Sequence, residues 1–416
     1  MPRAGGGRGD PGLSGRALVS SGFRPFFLGA AAYGPLLLAL WFGARAGWWD
    51  APDAGLALPL LHAHELLFGF AAALVCGVVL TALPSWSGAA ELRGPPIAAL
   101  ALLWLAGRMA LLGGEWVARP LVAVVDCALL PMLCAMLFWT IASARQRLFW
   151  WTLPPLVALA GANIAFHVAL TRGAELDARW ALMLGVHALA FLFTLYGGLF
   201  IAAFTRRWLH TRGEHAAAML PPLEYATALA MVAFACADLL GAPPAWTAAA
   251  ALAAAAAHGW RFARWRGWRT VSEPLLWCIH LGYAWLIAAL VLRALAEFSS
   301  SVPREAWIHA FTLGAYGMLK IGLMTRVALR HTGRPLKAAA AMQVAFVMVF
   351  AASLLRLAFS VTDLGEWALA GSALLWSAAF LVYLALHGPM LLRPSLPRLD
   401  TNRRDSMTGS GARASV

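Results

Sequence analysis

The sequence predicts an all-helical, polytopic membrane protein with twelve transmembrane helices. Three observations carry that prediction. Of 416 residues, 61% are hydrophobic and only 12% charged, whereas a soluble domain holds roughly 45–50% apolar and about 25% charged residues. The apolar residues gather into twelve runs with short connections between them, and none alternates as the strand of a β-barrel does. The connections also alternate in charge. Together these exclude a soluble enzyme, a disordered protein and a nucleic-acid-binding domain, so no nucleic-acid partner is expected. The partner of the whole chain is the lipid bilayer.

Residues 1–22 are rich in Gly and Arg and read as a flexible cytoplasmic tail. The first run, 26–43, is too long for a signal-peptide core and lacks an A-x-A exit, so it reads as an uncleaved span. Runs two to six follow at 58–83, 96–113, 119–142, 149–171 and 180–205. Runs seven to twelve lie at 221–241, 244–262, 273–296, 305–328, 338–360 and 366–391. Each is near the ~20 residues a bilayer requires, and a helix satisfies its backbone polar groups internally. One transmembrane domain is thus expected over 23–392. The polar stretch 393–416 reads as a disordered cytoplasmic tail.

Net charge is +13, from 32 basic and 19 acidic residues. The excess follows the positive-inside rule better than it suggests nucleic acid. The N-terminal tail carries Arg3, Arg8, Arg16 and Arg24. Alternate connections carry Arg145 and Arg147, then Arg206, Arg207 and Arg212, then Arg261, Arg264, Arg266 and Arg269, then Arg326, Arg330, Arg334 and Lys337. The opposite side carries Asp50, Asp53, Glu115, Glu175, Asp177, Glu297, Glu305, Asp363 and Glu366. Both termini are therefore expected in the cytoplasm. Trp48, Trp49, Trp116, Trp180, Trp307 and Trp367 fall where an outer aromatic belt belongs, and Trp150, Trp151, Trp208, Trp265 and Trp268 where an inner one does.

Runs six and ten resemble each other. At an offset of 120, Tyr196, Gly197, Leu199, Ile201, Thr205 and Arg206 meet Tyr316, Gly317, Leu319, Ile321, Thr325 and Arg326. Histidines lead both segments, His187 and His309, and His64 leads run two. This suggests three units of four helices, the second helix of each bearing a histidine near its outer end. Runs two, six and ten are then expected to meet at the bundle axis.

Polar residues inside spans are costly and are usually functional. Five histidines share the outer half of the bilayer: His62, His64, His167, His187 and His309. Neutral imidazole is a common metal ligand and the usual axial ligand of b-type haem. A single histidine is more often a helix–helix hydrogen-bonding group, but five at one depth favour ligation. His62, His64, His187 and His309 are the candidate haem-b ligands, and His167 and Glu65 the candidate metal-side residues. Helix residues advance about 100° each, so His62 and His64 point about 200° apart and face different sites. Glu65 shares a face with His62 and is expected to fix its tautomer, with metal ligation or an arginine partner as alternatives. Asn163, four residues before His167, is placed to orient it. Asp126 and Asp238 are expected to pair within the bundle, with partners not readable from sequence. His258, His280 and His387 read as interface residues.

Arg24 reads equally as a snorkelling cation and as a site residue. Lys320, in mid-span, must be neutral, paired or beside a wet cavity. Arg326, His331 and Arg334 close run ten with basic residues, either as topology signals or as an anion or haem-propionate site. The five cysteines lie in apolar runs without CxxC or CxxCH spacing, so neither a thiol redox motif nor covalent haem is indicated. Buried packing explains them better than copper(I) ligation.

The segments GFRPFFLGAAAYG, HAHELLFGFAAALVCGVVLTALPSWSG, ANIAFH, GGLFIAAFTRRWL and HAFTLGAYGMLKIGLMTRVALRHTGRPL together resemble the NnrS family, haem- and copper-containing bacterial membrane proteins linked to nitric-oxide stress. They occur in order over about 20–392. Four departures stand out: Leu199 and Ala203 sit where the family tends to have arginine and proline, Lys320 where it has a small or apolar residue, and Arg330 where it has a glycine. The resemblance implies haem and copper, an inner-membrane location, and nitric oxide or a metal-nitrosyl species as ligand. It supplies no reaction. Redox or gas binding, transport of a metal complex through a histidine-lined path, and nitric-oxide reduction with a quinol or other electron donor all remain open. Twelve helices in three units also resemble the catalytic subunit of haem–copper oxidases at the level of fold. Here, however, HxH lies on run two instead of run ten, and run seven lacks paired histidines.

Overall fold

The computed structural model describes residues 15–50, 56–142, 147–215, 217–362 and 364–397. The tails expected at 1–22 and 393–416 lie mostly outside the described residues, as do Arg3, Arg8, Asp53, Arg145 and Asp363 of the charge pattern. Every described element is helical. Among the described residues, twelve long helices stand where the apolar runs lie. They are α1 (Phe23–Arg45), α2 (Leu58–Ser87), α3 (Pro95–Leu112), α4 (Arg119–Ala142), α5 (Leu153–Thr171) and α6 (Glu175–His210). After these come α7 (Pro221–Leu239), α8 (Pro244–Arg264) and α9 (Pro274–Leu295). α10 runs from Ala306–His309 through a π-helical stretch, Ala310–Gly317, into Met318–His331. α11 is Ala340–Val361 and α12 Glu366–Leu392.

Ten of these helices are long and apolar enough to cross a membrane. The two that are not are α8, where alanine replaces larger apolar residues, and α10, which carries His309, Lys320, Arg326 and Arg330. Local chemistry sets the ends. Proline opens α3, α7, α8 and α9, where its missing N–H would lack an intrahelical partner anyway. Gly88 closes α2 in the left-handed region, at φ 73°, which a side chain would resist.

From α4 onward, chain neighbours mostly pack side by side, and α12 packs back on α1. α2 is the enclosed helix: 94% of its most apolar window is buried, against 22% in α7. It meets α6 where Leu67 covers Gly185, and it meets α10 where the Tyr316 hydroxyl donates to the Ala71 carbonyl at 2.8 Å. α6 and α10 meet at Gly197 and Leu319. Runs two, six and ten thus converge. α9 and α10 approach closely at Gly282, where a Cβ would come within 2.8 Å of the Leu319 nitrogen; small residues permit such backbone contact.

Two expectations about the ends change. Of the aromatic belts, Trp48, Trp116, Trp180, Trp367, Trp151 and Trp268 are exposed, but Trp307 and Trp265 are buried among other side chains. Arg24 is 1% exposed and is no snorkelling cation. Its guanidinium donates to the carbonyls of Leu391 and Arg393, each at 2.7 Å, and to Ser395 Oγ at 2.8 Å. It therefore caps the C-terminus of α12, where carbonyls lack intrahelical donors. Arg24→Met is expected to lower stability by about 1.5–3 kcal/mol, the range for hydrogen bonds to a charged group. Thermal unfolding of the detergent-purified variant measures it, and an unchanged midpoint would contradict the capping role.

Candidate metal centre

One half of the bundle holds a buried cluster drawn from α1, α2, α3, α4 and α5. The reason it lies together is depth. Arg108 sits near the C-terminal end of α3 and Asp126 in the N-terminal part of α4, so antiparallel packing brings opposite charges level. The Arg108 guanidinium pairs with both Asp126 and Glu65. The Tyr33 hydroxyl donates to the other Glu65 oxygen.

His64 lies at the centre and is fully buried. Its Nδ1 is 3.0 Å from Glu65 Oε1. Its Nε2 is 3.0 Å from Asn163 Oδ1 and 3.2 Å from Asp126 Oδ2. His167 Nε2 approaches the same Asp126 oxygen at 2.9 Å, and Asn163 Nδ2 donates to it at 2.9 Å. Potential ligand atoms of His64, Asp126 and His167 all lie within 4.8 Å of one another. Phe166 stacks on the His64 ring at 4.6 Å and Phe68 lies 5.0 Å away, so the walls are apolar.

This arrangement suits a cation. Both nitrogens of His64 face oxygen acceptors, so one N–H cannot satisfy them; a second proton or a metal ion at Nε2 can. Glu65 and Asp126 bring two carboxylates against the single guanidinium of Arg108, and a cation restores the balance. Glu65 holds Nδ1 and leaves Nε2 for the ion, the usual carboxylate–histidine–metal relation. Two imidazoles with carboxylate and amide oxygens suit copper(II), zinc or iron.

The sequence-predicted residues divide. His64, Glu65, Asn163 and His167 come together. Glu65 pairs with its neighbour His64 instead of His62, because Arg108 and Tyr33 draw its carboxyl into the cluster. His62 faces the other way, as the 200° separation requires, and packs on Trp41 at 4.5 Å.

His187 and His309 join neither this cluster nor each other. His187 Nε2 is 2.8 Å from Asp238, which also pairs with Arg293 at 2.6 Å. His309 Nε2 is 3.0 Å from an Arg356 nitrogen. His64 and His187 thus lie in separate clusters, while His62 and His309 lie near one another beside Arg356. Asp126 lacked a partner at the sequence level, and Arg108 was missed. Matching the depth of charges on consecutive antiparallel helices is the signal that finds both.

The remaining candidates lie elsewhere. Lys320 lines a cavity between α2, α6 and α10. Arg326 lies over the Phe204 ring at 4.1 Å. His331 packs on Phe23 at 5.6 Å, and Arg334 donates to the Thr332 carbonyl at 3.4 Å. His258 and His280 are interface residues, bonded to Tyr283 at 2.6 Å and Thr205 at 2.8 Å, and His387 stacks on Tyr383.

Three cavities among the described residues measure about 40, 20 and 10 Å³, and of these the smallest has a histidine, His62, in its lining. No curated protein matches the chain by sequence. The family described as NnrS protein matches residues 17–395, nearly the whole chain, and the chain belongs to that family.

Proposed function

We propose that this chain is a metal-binding membrane protein of the response to nitric oxide and nitrosative stress, with copper held by His64, Asp126 and His167. The convergence of His64 Nε2 and His167 Nε2 on one Asp126 oxygen carries this reading. Copper, when bound, supplies a centre that takes up nitric oxide or exchanges single electrons. The chain's own residues do the rest. Glu65 fixes the His64 tautomer, Asn163 bridges His64 and Asp126, and Arg108 offsets the carboxylate charge. Phe68 and Phe166 exclude water while admitting a small uncharged gas. Nitric oxide comes from the family resemblance, and the apolar walls support it. Binding is favoured over transit, because His64, His187 and His309 fall into separate clusters rather than along one path. The account runs through this cluster.

Twelve crossings of the inner membrane with both termini cytoplasmic complete the proposal, supported by the alternation of Lys and Arg between connections. A reporter active only in the periplasm, fused after Val416, is expected to stay silent; activity would overturn the orientation. The three-unit arrangement has structural support too. π-helical stretches follow both His64 and His309, and each leading histidine reaches a charge on the next helix, His64 through Glu65 to Arg108, His187 to Asp238 and His309 to Arg356. Metal analysis of the purified protein, with an absorbance spectrum before and after nitric oxide, tests the function. Stoichiometric copper and a spectrum altered by the gas are expected. A metal-free preparation that takes up no added copper would overturn it.

A further inference from the structure

Spans are expected to avoid uncompensated charge, yet α10 carries Lys320 deep in the bundle. Lys320 is 6% exposed. It lines a cavity of about 20 Å³ with Val75 and Val79 of α2, Leu192 and Tyr196 of α6, and Tyr316 of its own helix. Among the residues that line this cavity there is no carboxylate. Its ammonium rests over the Tyr316 ring, 4.8 Å from the centroid, a contact that positions a cation but leaves its N–H donors open.

The other polar groups of the cavity are occupied or are donors. The Tyr316 hydroxyl gives its proton to the Ala71 carbonyl. Tyr196 shares a 2.8 Å hydrogen bond with Thr152; when Thr152 donates, the Tyr196 proton is free for the cavity. The remaining walls are Val, Leu and Phe. The cavity therefore presents donors and positive charge with no acidic side chain. That composition repels cations and offers little to a neutral polar molecule, but suits an anion. The volume admits a small one. α10 as a whole strengthens the preference: from Ala306 to His331 it holds His309, Lys320, Arg326, Arg330 and His331 without one Asp or Glu, so the local potential favours negative charge.

We propose that Lys320 is the anchor of a binding site for a small monovalent anion, of the size of a halide or nitrite, on the axis where α2, α6 and α10 meet. The site is separate from the metal cluster and does not depend on it, since no residue of that cluster lines this cavity.

The test is equilibrium dialysis of the full-length, detergent-purified protein with radiolabelled chloride at fixed ionic strength. Sodium nitrite and sodium gluconate serve as competitors. Saturable binding is expected, displaced by nitrite but not by the bulky gluconate. Lys320→Met, an apolar replacement of similar length, is expected to weaken binding by about tenfold or more, the loss of a charge-assisted contact. Lys320→Arg should retain it. A second readout needs no variant: chloride should raise the unfolding midpoint of the wild-type protein above its value in gluconate. Equal binding by wild type and Lys320→Met would overturn the proposal. So would the absence of both binding and chloride stabilisation in the wild type, which would mean the amine is neutral there.

Discussion

Replacing His64 or His167 by alanine is expected to abolish stoichiometric copper binding, with the helices intact. Each change removes one of two imidazoles that converge on Asp126, and the remaining donors cannot close a coordination sphere. Glu65→Gln should act more gently. It leaves every ligand atom in place but weakens the hold on His64 Nδ1, 3.0 Å away, so affinity should fall about 10–100-fold. His187→Ala and His309→Ala, in separate clusters, should leave copper unchanged. Metal content by mass spectrometry and copper titration of the purified variants check the series. Copper retained in both His64→Ala and His167→Ala would remove the assignment.

Arg108→Met is expected to be the most destabilising single change in this half of the bundle. Arg108 is 3% exposed and pairs with two buried carboxylates. Without it, Glu65 and Asp126 confront each other across an apolar interior. Breaking a buried pair by removing one partner costs about 3–5 kcal/mol. Glu65→Gln in the same chain should recover part of the loss, because it removes one unbalanced charge; a merely bulky role for Arg108 predicts no recovery. Arg179→Ala provides the contrast. Its pair with Glu175 is more than half exposed, and its loss should cost at most about 0.5 kcal/mol. Unfolding in micelles or bicelles measures all three. A loss for Arg108→Met no larger than for Arg179→Ala would contradict the network.

Much of this was legible in the sequence because the bilayer enforces simple rules. Apolar run length located twelve long helices, from Phe23 to Leu392. The 100° step along a helix separated His62 from His64. The likeness of runs six and ten pointed to a meeting place that Tyr316, Gly197 and Lys320 occupy. Partner choice was not legible. Glu65 was assigned first to His62 on helix spacing; of its alternatives the arginine partner holds, and that arginine, Arg108, comes from another helix, as does Tyr33. Arg108 was not singled out, although Asp126 on the next helix lies level with it. His187 and His309 were grouped with His64 by depth, but depth carries no information about azimuth. Each found its own charged partner, Asp238 and Arg356. Trp307 was placed in the outer belt by position, whereas packing 5.3 Å from His187 buries it.

X-ray absorption of the copper-loaded protein tests the central claim most directly, because it reports which atoms surround the metal. With His64, Asp126 and His167 as ligands, the nearest shell should contain only nitrogen and oxygen, with the outer-shell scattering of imidazole. The imidazole signal should fall in a His167→Ala sample forced to bind by excess copper. A sulfur shell, from cysteine or methionine, or a shell without imidazole, would contradict the account.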